Sequence, residues 1–279
     1  MNRFVLSRLA MVVIACTLFE SGQLAAQTAH QTDSLRKAGK PLFTRDDALL
    51  GVAFAGLTVA MFPIDKSAER RLRSPSSSEN QFINGTTKGF EILADPGSIV
   101  IGSAMYVAGR LTNHNTLEDI GLHMTESIVL GSSATILLKG ALGRSRPFVT
   151  NGTDPRDFKF GKGFGNADRQ SFPSGHTTAA FAAAASVTSE MKRVYPGSTW
   201  IVGPVMYGSA TMVGLARMYH NKHWASDVAL GAAVGTFSGL KVVRYSHNHP
   251  GNPVDRRLLS AMIQPNGDGG ELVGLSLQW

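Results

Sequence analysis

The segment PSGHTTAAFAAAASV, at residues 173–187, joins a short polar entry to a run of small apolar residues. Its proline stiffens the chain, Ser174 is a residue type that caps helices, and Gly175 lets the backbone approach a ligand closely. The residues that follow predict a helix over His176–Met191, whose first N–H groups would face a bound anion. His176 would stand at the mouth of that site. An ordinary serine cap with an incidental histidine explains this tetrapeptide equally well.

A second segment, upstream, supplies two cations to the same kind of site. Lys139 and Arg146 are seven positions apart at the end of an apolar stretch, and Pro147 follows. Gly143 and Pro147 predict that the helix ends near here, with Arg146 just past the end. Two cations at a helix terminus suit a multi-oxygen anion, although the helix dipole alone also favours them there. Arg144, a third cation, is expected to face elsewhere.

The third segment contains Arg217, His223 and Asp227. His223 and Asp227 are four apart, so we expect them to share a helix face and to hydrogen-bond. An aspartate on one ring nitrogen fixes the tautomer and leaves the other nitrogen as a nucleophile or base. The planar fork of Arg217 matches two phosphate oxygens. The alternative, a surface pair with a stray arginine, is weakened by the apolar residues around it.

A metal site is another use of the third segment. His220, His223 and Asp227, at positions i, i+3 and i+7, could converge on one ion. That interpretation leaves Lys139 and Arg146 unexplained, and cations beside a dication are unfavourable. We therefore expect no metal and no other cofactor.

The composition narrows the class of protein. The chain has 279 residues, 43% of them hydrophobic and 17% charged, which fits one globular domain with a full core. The formal charge of +7 favours anionic partners such as phosphates or a membrane surface. No run of lysine and arginine is present, so nucleic acid is the weakest of the possible partners.

The N-terminus is typical of a secretory signal peptide, residues 1–26. Arg3 and Arg8 precede an apolar stretch, Leu9–Phe19, and Ala26 ends a small-residue cleavage site. A short membrane anchor and a lipoprotein with lipid on Cys16 are the alternatives. Cleavage after Ala26 would leave no cysteine, which is compatible with a bacterial periplasm. The protein is therefore expected to be periplasmic.

The rest of the chain is predicted to be mainly α. Residues 27–46 form a polar lead-in, 47–245 a helical domain and 246–279 a tail with a β-hairpin around the turn-like stretch 265–270. The expected helices are Asp47–Phe62, Ile64–Leu72, Phe82–Leu93, Ser98–Leu111, Leu117–Leu142, His176–Met191, Thr199–Met218 and Trp224–Val243. The first is expected to be buried. Because most are short and rich in small residues, a soluble or peripheral domain is favoured, and an integral membrane bundle stays open.

Phe148–Ser171 differs from its surroundings in being rich in glycine and polar residues, with three interleaved phenylalanines. It predicts a long surface loop beside the site, which we expect to influence substrate selectivity. A disordered insertion is the alternative.

Taken together, the three segments resemble the type 2 phosphatidic acid phosphatase (PAP2) superfamily, which includes class A acid phosphatases and vanadium haloperoxidases. Its pattern is Lys, six residues, Arg-Pro; then Pro-Ser-Gly-His; then Ser-Arg, five residues, His, three residues, Asp. Ala216 stands where the family usually has serine, beside the phosphate-binding arginine. The resemblance implies a PAP2-type helical bundle. The matching residues are Lys139, Arg146, Pro147, Pro173, Ser174, Gly175, His176, Arg217, His223 and Asp227.

The resemblance also implies a role for each residue. His223 attacks phosphorus, Asp227 orients it, and His176 protonates the leaving oxygen. The phosphoryl oxygens are held by Lys139, Arg146, Arg217, Ser174 and the Gly175 amide. We therefore expect a metal-independent phosphatase, with vanadate binding as a phosphate mimic, that acts on a soluble or lipid phosphate or pyrophosphate. The alternatives are a vanadium-dependent haloperoxidase and a non-catalytic, anion-binding envelope protein.

Overall fold

The computed structural model describes residues 41–72, 81–249, 252, 254–255, 261–265 and 271–275. The predicted signal peptide and Cys16 lie outside these residues. In chain order the helices and strands are α1 (Arg45–Met61), α2 (Asp65–Leu72), α3 (Gln81–Ile92), α4 (Ser98–Thr112), α5 (Asn115–Leu142), α6 (Gly175–Val194), α7 (Thr199–Tyr219), α8 (Ala225–Asn248), β1 (Ala261–Pro265) and β2 (Glu271–Leu275). The predicted helices are confirmed, most with ends displaced by one to five residues.

Helix α6 lies at the centre of the bundle and packs against α5, α7 and α8. Its small residues Ala179–Ala185 are buried. Helix α8 approaches them closely, since a Cβ on Gly235 would lie 2.3 Å from the carbonyl oxygen of Thr178. Because the contacting residues of α6 and α8 are small, the two backbones pack closely together. This close packing fixes the N-termini of the two helices relative to each other.

The remaining helices surround this centre: α4 packs on α5, α3 on α7 and α1 on α8. Between α3 and α4 the chain kinks at Leu93–Gly97, where Asp95 has extended dihedral angles and precedes Pro96. This kink places Asp95 beside the start of α6.

Large apolar side chains cover much of the outside of the bundle. Val52 is 72% exposed and Ile136 64% exposed. The prediction that α1 is buried is therefore wrong, because its apolar residues form an outward face. Two helical segments, Gln81–Thr112 and Ala225–Asn248, are long and apolar enough to cross a membrane, and the bent pair α1–α2 adds a third if it is one span. These features indicate membrane association and weaken the expectation of a soluble domain.

The two strands pair antiparallel, with Ala261 opposite Leu275 and Pro265 opposite Glu271. The predicted turn between these strands, residues 266–270, lies outside the described residues.

Candidate active site

The end of α5 carries the first pair of cations. Gly143 follows the helix in the left-handed conformation, with φ of 59°, and turns the chain away. Lys139 lies half-buried in the last turn, and its Nζ donates to the carbonyl of Gln170 over 2.6 Å. Arg146 lies past the helix end, as predicted, and its Nε donates to the carbonyl of Ala167 over 2.9 Å.

The side chain of Arg144 points into the interior of the protein. The side chain is fully buried and its guanidinium joins two carboxylates. One NH group donates to Asp227 over 2.5 Å and to the hydroxyl of Ser226 over 2.7 Å. The other donates to Asp65 over 2.6 Å, and Nε donates to the carbonyl of Pro155 over 2.9 Å. Arg144 is therefore the brace that links α2, the loop and the start of α8.

Four aromatic rings surround this guanidinium at 5.0 to 5.5 Å from ring centroid to Cζ. They belong to Phe62, Phe158, Phe172 and Trp224. The π faces attract the cation, and their bulk keeps water away from the two carboxylates. These contacts hold the Arg144 guanidinium in place and exclude water from its ion pairs.

His223 lies in the turn between α7 and α8. Its Nδ1 is 2.7 Å from the carbonyl oxygen of Ser171 and 3.5 Å from Oδ2 of Asp227. Because a carbonyl can only accept, Nδ1 is the protonated nitrogen and Nε2 carries the lone pair. The expectation that His223 and Asp227 share a helix face is wrong, since α8 begins only at Ala225.

Besides its direct contact with His223 at 3.5 Å, Asp227 acts on that ring through Ser171. Its Oδ2 accepts from the hydroxyl of Ser171 over 2.5 Å and from the backbone N–H of Trp224 over 2.7 Å. The carboxylate therefore fixes Ser171, whose carbonyl in turn orients the imidazole. Burial lowers the pKa of His223 to about 3; Asp227 opposes this effect, and the positive charge of Lys139 adds to it. The ring is thus neutral at neutral pH.

His176 is the second residue of α6 and is half-buried. Its Nδ1 lies 3.7 Å from Oδ2 of Asp95, at the kink before α4. Burial, followed by the nearby charge of Arg217, lowers the pKa of His176 to about 4. The imidazole must therefore gain a proton before it can act as an acid.

The start of α6 is arranged differently from the prediction at Ser174. This residue is the N-cap, but its hydroxyl makes no capping bond and instead accepts from Thr177 Oγ1 over 2.9 Å. Its backbone N–H donates to the carbonyl of Asp227 over 3.0 Å. The first-turn N–H groups consequently lack a side-chain cap and remain available to an anion. The Lys139 side chain lies directly over Gly175, 3.8 Å from where a Cβ would be.

Arg217 approaches from the last turn of α7, where it is nearly buried. Its guanidinium is 2.7 Å from Oε1 of Glu91, and His220 Nδ1 is 2.9 Å from the same oxygen. His220 is thus paired with Glu91 of α3, which argues against the alternative in which it joins His223 on a metal.

Lys139, Arg146 and Arg217 are close enough for their positive charges to repel one another. Burial lowers the pKa of Lys139 to about 7, and the charges of Arg146 and Arg217 contribute. A buried set of like charges is unfavourable without a counter-ion, so this end of the bundle favours an anion with several oxygens.

The loop Phe148–Ser171 packs back onto the end of α5, with Phe158 beside Phe62 and Phe172. Phe160 and Phe164 are 75% and 61% exposed. The predicted surface loop therefore lies beside the site.

Several residues of this site carried no recognised signal in the sequence. Asp65 and Glu91 come from distant helices and have no motif around them. Ser171 lies two residues before the Pro-Ser-Gly-His segment, and Arg144 two before Arg146, so proximity to a motif was the available signal. Ser171 and Arg144 contact Asp227, Glu91 pairs with Arg217, and Asp65 pairs with Arg144.

Two histidines and three cations at one end of a helical bundle form a site suited to an anion with several oxygens. Residues 120–250 match the family model of the PAP2 superfamily. Curated relatives include a "Lipid A 1-phosphatase" of Porphyromonas gingivalis, 44% identical over 69 residues, covering 25% of this chain and 15% of the relative. Another "Lipid A 1-phosphatase", of Rhizobium etli, is 33% identical over 130 residues, covering 46% of this chain and 51% of the relative.

Among solved structures, a transmembrane PAP2-type phosphatidylglycerolphosphate phosphatase from Bacillus subtilis is similar in fold. The TM-score is 0.56 at 19% identity, covering 73% of this chain and 97% of that one. The match to the PAP2 superfamily model covers somewhat less than half of this chain. The chain spans about half the length, or less, of the curated relatives it matches.

Proposed function

We propose that this protein is a phosphatase that removes phosphate from a lipid through a phosphohistidine at His223. The observation that carries the proposal is the hydrogen bond from His223 Nδ1 to the Ser171 carbonyl. It leaves the Nε2 lone pair free beside Lys139, Arg146 and the start of α6. A neutral, oriented nitrogen in a cationic space suits in-line attack on phosphorus.

In the first step the three cations and the N–H groups of α6 hold the phosphoryl oxygens. Nε2 of His223 forms a bond to phosphorus as the phosphorus–oxygen bond to the lipid breaks. His176 gives its proton to the departing oxygen. The positive charge that develops on His223 is offset by Asp227, whose own charge is shared with Arg144.

In the second step a water molecule attacks phosphorus and the bond to Nε2 breaks. The proton of that water passes to His176, and inorganic phosphate is released. No step needs a metal ion. Burial and then the charge of Arg217 lower the pKa of His176. A bound phosphate dianion offsets the charge of Arg217 and places negative charge near the ring, so that His176 can hold the proton that it donates.

The membrane-facing surface and the relatives' names favour a lipid substrate. Two curated relatives are called lipid A 1-phosphatases, so the 1-phosphate of lipid A is the substrate to test first. The exposed rings of Phe160 and Phe164 would contact acyl chains or sugar beside the site. Because a signal peptide is expected, the reaction would take place at the periplasmic face of the membrane.

The test is release of phosphate from lipid A and from a soluble phosphomonoester by the purified full chain, in detergent and with EDTA. We expect activity on the lipid, loss of that activity in His223→Ala, and an acid-labile phosphate on His223 in trapped enzyme. His249→Ala, at an exposed histidine, is the matched control. Activity that survives His223→Ala contradicts the mechanism. Bromide oxidation with vanadate and peroxide would instead indicate the haloperoxidase.

A further inference from the structure

A second cluster of ionisable side chains lies at the opposite end of the bundle. His123 precedes Lys139 by sixteen residues on α5, which is about 24 Å at 1.5 Å per residue. The cluster comes from α5, the end of α6, the end of α8 and the segment after α8. Its members are His123, Glu126, Glu190, His247 and Asp255. The proposed phosphatase mechanism uses none of them.

Two buried polar atoms in this cluster lack partners. His123 is only 2% exposed, and its Nε2 makes no hydrogen bond within the described part of the chain. The same holds for Oε1 of Glu126. The acid nearest to Nε2 is Asp255, whose Oδ2 is 3.8 Å away. One ligand atom from each of these three residues lies within 4.8 Å of the others.

The opposite nitrogen of His123 is firmly held. Its Nδ1 is 2.6 Å from Oε1 of Glu190, a carboxylate that is 2% exposed. Because a carboxylate at neutral pH accepts, Nδ1 carries a proton, and Nε2 is the ring nitrogen that lies near Asp255. A carboxylate on the distal nitrogen is the arrangement that metal-binding histidines usually have.

The spacing of the three ligand atoms suits a small dication. Ligands about 2.1 Å from a tetrahedral Zn²⁺ are about 3.4 Å apart. The 3.8 Å between His123 and Asp255 differs from this by a few tenths of an ångström. Two adjacent buried carboxylates repel each other, and a cation between them removes that repulsion.

We propose that His123 Nε2, Glu126 and Asp255 bind one divalent transition-metal cation of the Zn²⁺ type. The cation fastens the segment that follows α8 to the first half of α5. Glu190 is a positioning residue that keeps the histidine tautomer. Imidazole with two carboxylates is a ligand set that such ions accept. Because of its distance from Lys139, the cation takes no part in phosphoryl transfer.

A competing trio of atoms is less suitable. His247 Nε2 lies 2.8 Å from the Glu190 oxygen that also contacts His123 Nδ1, so His123, Glu190 and His247 form a compact group as well. There, however, each nitrogen already has the carboxylate as its hydrogen-bond partner. The unpartnered atoms lie on the other side of the His123 ring.

The test measures metal bound to the full chain, purified in detergent, stripped with chelator and dialysed against Zn²⁺. We expect one Zn²⁺ per chain by mass spectrometry of the metal, and a Tm that rises with Zn²⁺ because the ion binds the folded state. Glu126→Gln and Asp255→Asn keep side-chain shape and should abolish both effects. His249→Ala, at an exposed histidine near the end of α8, should retain both.

Circular dichroism of the metal-free variants verifies that they fold. The proposal is overturned if the wild type retains no Zn²⁺, or if Glu126→Gln and Asp255→Asn retain it as the wild type does. It is also overturned if His247→Gln abolishes binding while the two carboxylate variants keep it, since the ion would then occupy the competing trio.

Discussion

Replacing Arg144 with lysine tests whether the buried arginine is a brace for the reacting histidine or a ligand of phosphate. The substitution keeps the positive charge but removes the two-armed geometry that reaches Asp227 and Asp65 together. The ammonium of a lysine at this position can pair with one of the two carboxylates but leaves the other without a close cation. Losing about two charge-assisted hydrogen bonds, each about 1.5–3 kcal/mol, gives a destabilisation of about 3–6 kcal/mol.

The kinetic effect should fall on turnover rather than on binding. Asp227 holds Ser171, and Ser171 orients His223, so a shifted carboxylate misplaces the nucleophile. We expect kcat to fall about 10- to 100-fold, as small misplacements of reacting groups do. The inhibition constant for inorganic phosphate should change by less than about threefold, because Arg144 does not face the bound anion.

The assay compares kcat, the phosphate inhibition constant and Tm of the purified variant with those of Arg169→Lys. Arg169 pairs with Asp157 at 3.0 Å in a partly exposed position, where loss of a pair costs about 0–1 kcal/mol. If Arg144→Lys weakens phosphate binding as strongly as Arg146→Lys, the brace interpretation is refuted. An unchanged Tm would refute the energetic reasoning.

Three further predictions concern the site and its loop. Ser171→Ala removes the hydroxyl bond to Asp227 but keeps the carbonyl, so kcat should fall about tenfold with phosphate inhibition unchanged; equal loss of both would contradict this. Burial lowers the pKa of Lys139 to about 7, so its charge is lost above that pH and phosphate affinity should fall there. Lys139→Arg should move that fall to higher pH in inhibition profiles, and an unmoved profile would exclude Lys139 as its source. Phe160→Ala should lower kcat/KM for lipid but not for a soluble ester, whereas Phe158→Ala should mainly lower Tm; the reverse pattern would show that Phe158 contacts substrate.

The sequence predicted most of the helices because breakers and caps mark their ends. Gly143 ends α5 where expected, and Thr199–Met218 differs from α7 by one residue. The burial of α1 could not be predicted in the same way. Its apolar composition is the same whether the helix faces a protein core or a lipid bilayer, so only the packing of its neighbours distinguishes the two.

The site was predictable where its residues lie in compact motifs, and it was not where support comes from elsewhere. His223, His176 and the three cations are recognisable by spacing. Asp65 and Glu91 act through tertiary contacts with Arg144 and Arg217, and no local pattern encodes such contacts. The residue type predicts a capping role for the Ser174 hydroxyl, whereas its oxygen accepts a hydrogen bond from Thr177.

The pairing of Arg217 with Glu91 bears on how the site empties between turnovers. A departing phosphate would leave a nearly buried guanidinium without a counter-charge, which is costly. Glu91 lies 2.7 Å from the Arg217 guanidinium and can supply this counter-charge. The same carboxylate competes with an incoming phosphate for Arg217 and so limits the affinity for free phosphate. In the proposed mechanism, this competition favours release of phosphate over tight binding of the product.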